Sequence, residues 1–416
     1  MPEKVKKATF TYVLFLIICI LQLSGLKGIG NYTSIVLLLV CSLLMFCECN
    51  GKIHKITAWI ILFLVYYSIT SLPNLNTKYF ATYLANNMLS FFPAVYYNYY
   101  LHNEKSDRQK VKRKLIPLLF IWFLMVYLSI YFYILNPSAA RVLARDGDAY
   151  QGSIIGGYPL AYGSALLCVA LLGCQVKYRF RGTIKLILMI QCISLLILIY
   201  LTESTLTTFA TIIGLIVTFF ANPKIENKTN RIVYYFIVLF FAVLLFYFTY
   251  IYIEENINGI LLWLQSRSDY LIYRRISEIF NSIFLDVETR HYEERHSLIT
   301  NSLNLFIHSP IIGHGYKYGN VFSAGKVYGI GNHSEFFDSL ARYGLVGFLP
   351  LFIIYFNNAK KIFTRNIGVL VTFLIMILCN PFISFSANLS FFLIIRLIYE
   401  LCDEYEKNID EKTYSY

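Results

Sequence analysis

The residue best placed to do chemistry is His333, in Asn332-His333-Ser334-Glu335-Phe336-Phe337-Asp338, where a long polar stretch gives way to an apolar one. Asn332 is expected to cap a helix by accepting a hydrogen bond from a first-turn amide, with Glu335 reaching back as in a capping box. His333 then lies in the first turn, where free amides and the positive dipole end disfavour imidazolium and leave a neutral ring able to accept a proton. On these residues alone, a histidine that only anchors a helix end at a membrane interface is the alternative. His291, His296, His308 and His314, with Glu293 and Glu294, match no familiar ligand spacing, so neither a metal nor a cofactor is expected. Gly325-Lys326 is followed by Val327, which lacks the hydroxyl of a phosphate loop. The glycines at 313, 315, 319, 325, 329 and 331 read instead as a flexible gate over the site.

The elements that must carry this histidine are membrane helices. The chain has 416 residues, 57% hydrophobic and 14% charged, too apolar for a soluble protein of that length. Apolar runs predict twelve spans near 10–26, 32–48, 56–72, 79–100, 115–135, 153–176, 184–201, 203–221, 232–253, 334–356, 367–385 and 387–401. The net charge of +12 sits in loops, at 105–114, 177–185 and 360–365, and the short opposite loops hold only Lys27, Lys78, Arg141 and Arg145. That bias puts both termini in the cytoplasm and argues against nucleic acid as a partner. The first span is expected to stay in the mature chain, since no convincing cleavage site interrupts it. The nine cysteines fall in spans or on the cytoplasmic side, which leaves no external disulfide.

The expected organisation is an all-α polytopic chain: a nine-helix region 1–253, a large external loop 254–332, a three-helix region 333–401 and a cytoplasmic tail 402–416. The loop is long enough to need structure of its own, and apolar residues recurring every three or four positions predict helices at 270–284 and 295–306. Within the tenth span, Asp338 and Arg342 are spaced for an intrahelical ion pair, and Gly344 and Gly347 for close helix contact. Glu203 and Arg396, charges near or within spans, are candidates to pair across the bundle.

Two blocks carry a family resemblance. In one, His333 is followed by Ser334, then Phe337 four residues and Gly344 eleven residues after the histidine. In the other, Arg295 leads Arg295-His296-Ser297-Leu298-Ile299 and stands fifteen residues before Pro310-Ile311-Ile312-Gly313-His314-Gly315. Their order, across a large external loop in a twelve-span frame, resembles the bacterial O-antigen ligase and O-antigen or capsular polysaccharide polymerase superfamily. The chain departs from the family at Thr205, where a second arginine would follow Ser204. Arg267, Arg274, Arg275, Arg290, Arg141 and Arg145 are the external substitutes.

The resemblance implies the second subclass of the C-type glycosyltransferase fold. It also implies a metal-independent, inverting transfer from a polyprenyl-pyrophosphate donor at the outer face of the bacterial inner membrane. Arg295 would meet the departing pyrophosphate and His333 would deprotonate the acceptor hydroxyl. The implied partners are undecaprenyl-pyrophosphate-linked oligosaccharide repeat units and membrane lipid, with a chain-length regulator protein as a further partner the family allows. Within the first block, His333-Ser334-Glu335-Phe336-Phe337 and Arg342-Tyr343-Gly344-Leu345-Val346-Gly347 resemble the polymerase branch more closely, with the ligase that delivers glycan to lipid A core as the alternative. A lipid-linked oligosaccharide flippase is a lesser one, since its loops should be short.

Overall fold

The computed structural model describes residues 3–23, 27–71, 77–103, 108–145, 155–178, 180, 182–221, 247–248, 250–267, 271–284, 290–315, 321–323, 326–328, 330–331 and 333–413. It is helical almost throughout. In chain order the helices are α1 (Glu3–Leu23), α2 (Lys27–Glu48), α3 (Lys55–Ser71), α4 (Thr77–Asn103), α5 (Arg108–Leu135), α6 (Ala139–Arg145), α7 (Gly157–Lys177), α8 (Gly182–Leu201) and α9 (Thr205–Ala221). Next come α10 over residues 250–265, α11 (Leu271–Phe284) and α12 (Arg290–His308). A short antiparallel hairpin follows, β1 (Val321–Ser323) with β2 (Lys326–Tyr328), in which Ser323 faces Lys326. The chain ends with α13 (Glu335–Phe363), α14 (Ile367–Cys379), α15 (Phe385–Leu389), a π turn (Ser390–Ile394) and α16 (Ile395–Thr413).

Among the described residues, five stretches are long and apolar enough to cross a membrane: Ile116–Leu135, Gly157–Lys177, Gly182–Leu201, Glu335–Ile362 and Phe385–Asp403. Five shorter apolar helices accompany them: Phe10–Leu23, Tyr32–Glu48, Lys55–Ser71, Thr205–Ala221 and Ile367–Cys379. The segment expected to span at 79–100 is α4, and the one expected at 232–253 falls largely outside the described residues. The outward faces are apolar: Leu43 and Phe120 are 64% and 68% exposed, which suits lipid rather than water.

Small and hydroxyl residues let the inner helices approach closely, the packing mode that works where lipid supplies no hydrophobic drive. A Cβ on Gly368 of α14 would run into Thr218 and the Gly214 carbonyl of α9. Thr372 donates to the Ala210 carbonyl at 3.3 Å, and Thr218 donates to Asn366 Oδ1 at 2.9 Å. These contacts pair 218 with the start of α14 and 210 with residue 372, so α9 and α14 run antiparallel. The turn before α9 therefore stands at the same end as the α14–α15 connection. Asn366 also caps α14 through the Gly368 amide and donates to the Val169 carbonyl of α7, which ties three helices at one residue.

The loop helices expected at 270–284 and 295–306 are α11 and α12, the second starting five residues earlier than its apolar pattern. Lys326 lies in strand β2 rather than at the start of a helix, so no phosphate loop forms there. All nine cysteines are free thiols.

Candidate active site

α13 begins at Ser334, whose extended backbone (φ −137°, ψ 114°) and side chain accepting from the Phe337 amide at 3.3 Å make it the N-cap. The cap expected at Asn332 is corrected to Ser334, and Asn332 itself lies outside the described residues. Glu335 does not reach back either. It is buried, one carboxylate oxygen accepting from the Ser339 hydroxyl at 3.0 Å and the other from the Ile383 amide at 2.9 Å. Its own amide donates to the Asn380 carbonyl at 3.0 Å, so the first turn of α13 is fastened to the α14–α15 connection. His333, expected in the first turn, is instead the exposed residue one position before the cap, because the helix starts at Ser334 and not at Asn332.

Asp338 serves a second clasp. Its Oδ1 accepts from the Ser302 hydroxyl of α12 at 2.6 Å and its Oδ2 from the Ser334 amide at 3.0 Å. The ion pair expected with Arg342 is thus not what holds Asp338. The Arg342 guanidinium lies 5.8 Å from the centre of the Tyr343 ring. Glu203 and Arg396 likewise have partners other than each other: Ser138 donates to Glu203 at 2.9 Å, and Arg396 stacks 4.1 Å from the Tyr97 ring centre.

The two motif blocks meet through main chain. At Gly344, α13 breaks helical geometry with φ 56° and ψ −171°, a conformation open essentially to glycine. The break lets residues 310–315 dock onto it. Leu345 and Val346 donate to the carbonyls of Pro310 and Ile311 at 2.8 and 3.1 Å, while His314 and Gly315 donate to those of Ala341 and Arg342 at 3.0 and 2.8 Å. A Cβ on Gly344 would collide with Ile311 O and Gly313 N. Tyr66 of α3 adds a hydroxyl bond of 2.7 Å to the Ile312 carbonyl. Gly313, Gly315 and Gly331 are therefore docking points rather than a gate, and Gly319, Gly325 and Gly329 lie outside the described residues.

The order of these contacts orients α12. A Cβ on Gly331 would meet the Leu298 carbonyl, Ser302 bonds Asp338, and residues 310 and 311 bond 345 and 346. Numbers rise together on both sides, so α12 runs alongside α13 in the same direction. Arg295 is one helical turn before Leu298, about 4.5 Å along the axis, and His333 is two residues after Gly331. The backbone thus brings Arg295 and His333 to one end of the same helix pair.

Among the other expected arginines, Arg274 is exposed on α11 and Arg267 lies exposed with its guanidinium 4.7 Å from the Trp263 ring centre. Arg141 is half-buried in α6, and Arg145, Arg275, Arg290 and Arg295 are placed by backbone alone. Arg290 opens α12 and so shares an end with Arg295. Among the described residues, no group of three His, Cys, Asp or Glu side chains is arranged to hold a metal ion. Sequence reasoning passed over Ser302, although it stands seven residues after Arg295 and hence on the same helical face.

Residues 190–352 match the family described as O-Antigen ligase, a segment that contains both motif blocks and α12 and amounts to under half of the chain. This agrees with the O-antigen ligase and polymerase superfamily that the blocks resemble. No curated protein matches the chain. With its apolar helices and this domain, the chain is a multi-pass membrane protein.

Proposed function

We propose that this protein polymerises a surface polysaccharide, transferring a growing glycan from polyprenyl pyrophosphate to the non-reducing end of a lipid-linked repeat unit. The observation that carries the proposal is the arrival of Arg295 and His333 at one end of α12 and α13, reached by independent contacts at 298, 302 and 310–311. The cationic loops flank the other end, at Lys177, Lys360, Lys361 and Arg365, which supports an external, energy-poor setting for the site. A donor there must bring its own leaving group, and a pyrophosphate does.

In the proposed step the acceptor hydroxyl oxygen attacks the anomeric carbon while the bond from that carbon to the pyrophosphate oxygen breaks. The hydroxyl proton passes to a ring nitrogen of His333. The charge gathering on the pyrophosphate is met by the Arg295 guanidinium, whose planar fork suits two phosphate oxygens, so the step calls on no metal ion. Direct displacement inverts the anomeric centre. The sibling ligase, moving finished glycan onto lipid A core, would use the same donor and base. Cells lacking a polymerase still cap their core with single repeats, whereas cells lacking a ligase accumulate undelivered polymer. His333→Ala should abolish polymer while the protein remains in the membrane, and a normal glycan ladder from that variant would refute the assignment.

A further inference from the structure

His333 is held from both sides by one pair of buried residues. On its N-terminal side, the Gly331 amide donates to Ser302 Oγ at 2.8 Å. On its C-terminal side, the Ser334 amide donates to Asp338 Oδ2 at 3.0 Å. The Ser302 hydroxyl closes the ring by donating to Asp338 Oδ1 at 2.6 Å. Ser302 and Asp338 are 0% and 4% exposed, so the ring is shielded from water that would otherwise compete for its bonds.

The direction of every bond in the ring is fixed. An amide N–H can only donate and a carboxylate can only accept, so the serine hydroxyl must accept from Gly331 and donate to Asp338. Ser302 also shares a helical face with Arg295, two turns away. The ring therefore ties the short segment bearing His333 to the helix bearing Arg295.

We infer that Ser302 and Asp338 are the positioning residues of this site, setting where His333 stands relative to Arg295. The inference rests on the catalytic roles proposed for those two. Ser302 and Asp338 are both buried and act through the backbone that bears His333. Ser302→Ala removes both of its bonds and leaves the Gly331 amide and one Asp338 oxygen without their partner. Asp338→Asn keeps an oxygen for the Ser334 amide but turns an NH2 towards Ser302, whose hydroxyl then has to accept twice. The asparagine variant should therefore be the milder of the two.

The test uses the full chain in vesicles, with native lipid-linked repeat units extracted from membranes of a strain lacking the protein. Ser302→Ala and Asp338→Ala should lower kcat about 100-fold, the loss expected from a displacement near 1 Å, with KM for the lipid-linked unit nearly unchanged. Ser302→Thr and Asp338→Asn should each restore about tenfold of that loss. If His333→Ala is inactive but Ser302→Ala and Asp338→Ala turn over like the wild type, the positioning role is overturned and the catalytic one stands. If His333→Ala is itself active, both fall. Should the alanine variants fail to reach the membrane, Asp338→Asn decides: a lowered kcat at unchanged KM supports the role, and wild-type kcat overturns it.

Discussion

At the His333 end of α13, Glu335 and Asp338 commit all four carboxylate oxygens to hydroxyl and amide donors, from Ser339, Ile383, Ser302 and Ser334. At the far end, Asp403 pairs with Arg365 at 2.9 Å and accepts from Tyr178, while Glu400 accepts from Tyr97 at 2.9 Å beneath the stacked Arg396. The acids of the first end bind hydroxyls and backbone amides, whereas at the second Asp403 also pairs directly with a cation. The difference is what the proposed site for an anionic donor requires, because a carboxylate bound to an arginine would compete with a pyrophosphate for it. It also separates rigidity from charge: the end proposed to react is stiffened by neutral donors, the other by partly exposed ions that salt can screen.

The comparison breaks most readily at Gly344. Gly344→Ala forces a Cβ into the Ile311 carbonyl at a glycine-only backbone angle and should cost about 3 kcal/mol, read as a drop in Tm in detergent together with loss of polymer. Glu335→Gln is a smaller insult. The residue keeps its size, but an NH2 now faces either the Ile383 amide or the Ser339 hydroxyl, for a cost of about 1–2 kcal/mol and a measurable fall in Tm. The smallest effect belongs to the far end. Arg365 and Asp403 have side chains 31% and 38% exposed, so Arg365→Ala should cost less than about 1 kcal/mol and leave glycan length on a gel unchanged. A larger loss of polymer from Arg365→Ala than from Glu335→Gln would erase the distinction between the ends.

Much of this architecture was legible in the chain. The apolar runs that became α2, α3, α8, α9 and α14 are readable locally, because a helix satisfies the backbone of each run within the run itself, as lipid requires. The Arg295 and His333 blocks could be read because each is local: a helix face, a turn with proline and glycine, a helix start. What could not be read is what joins them. Ser302 and Asp338 are 36 residues apart, and nothing in the period of either helix announces their bond. The docking of residues 310–315 on Gly344 is likewise a long-range main-chain event. Asn332 and Ser334 are both good caps by type, and only backbone angles decide between them. The gate expected at Gly313 and Gly315 failed for the same reason, since glycine permits close docking as readily as motion.

The proposal stands on Arg295 and His333 lying at one end of α12 and α13. Cysteines introduced by Arg295→Cys and His333→Cys, in a full-length background whose exposed Cys47 and Cys379 are changed to serine, can be challenged in membranes with a short bis-thiol reagent. Joining of the two positions, with none between His333→Cys and Arg365→Cys, is the expected result. Failure of the 295 and 333 pair to join, while each cysteine alone reacts with a small maleimide, would place the guanidinium and the imidazole in separate surroundings and contradict the account.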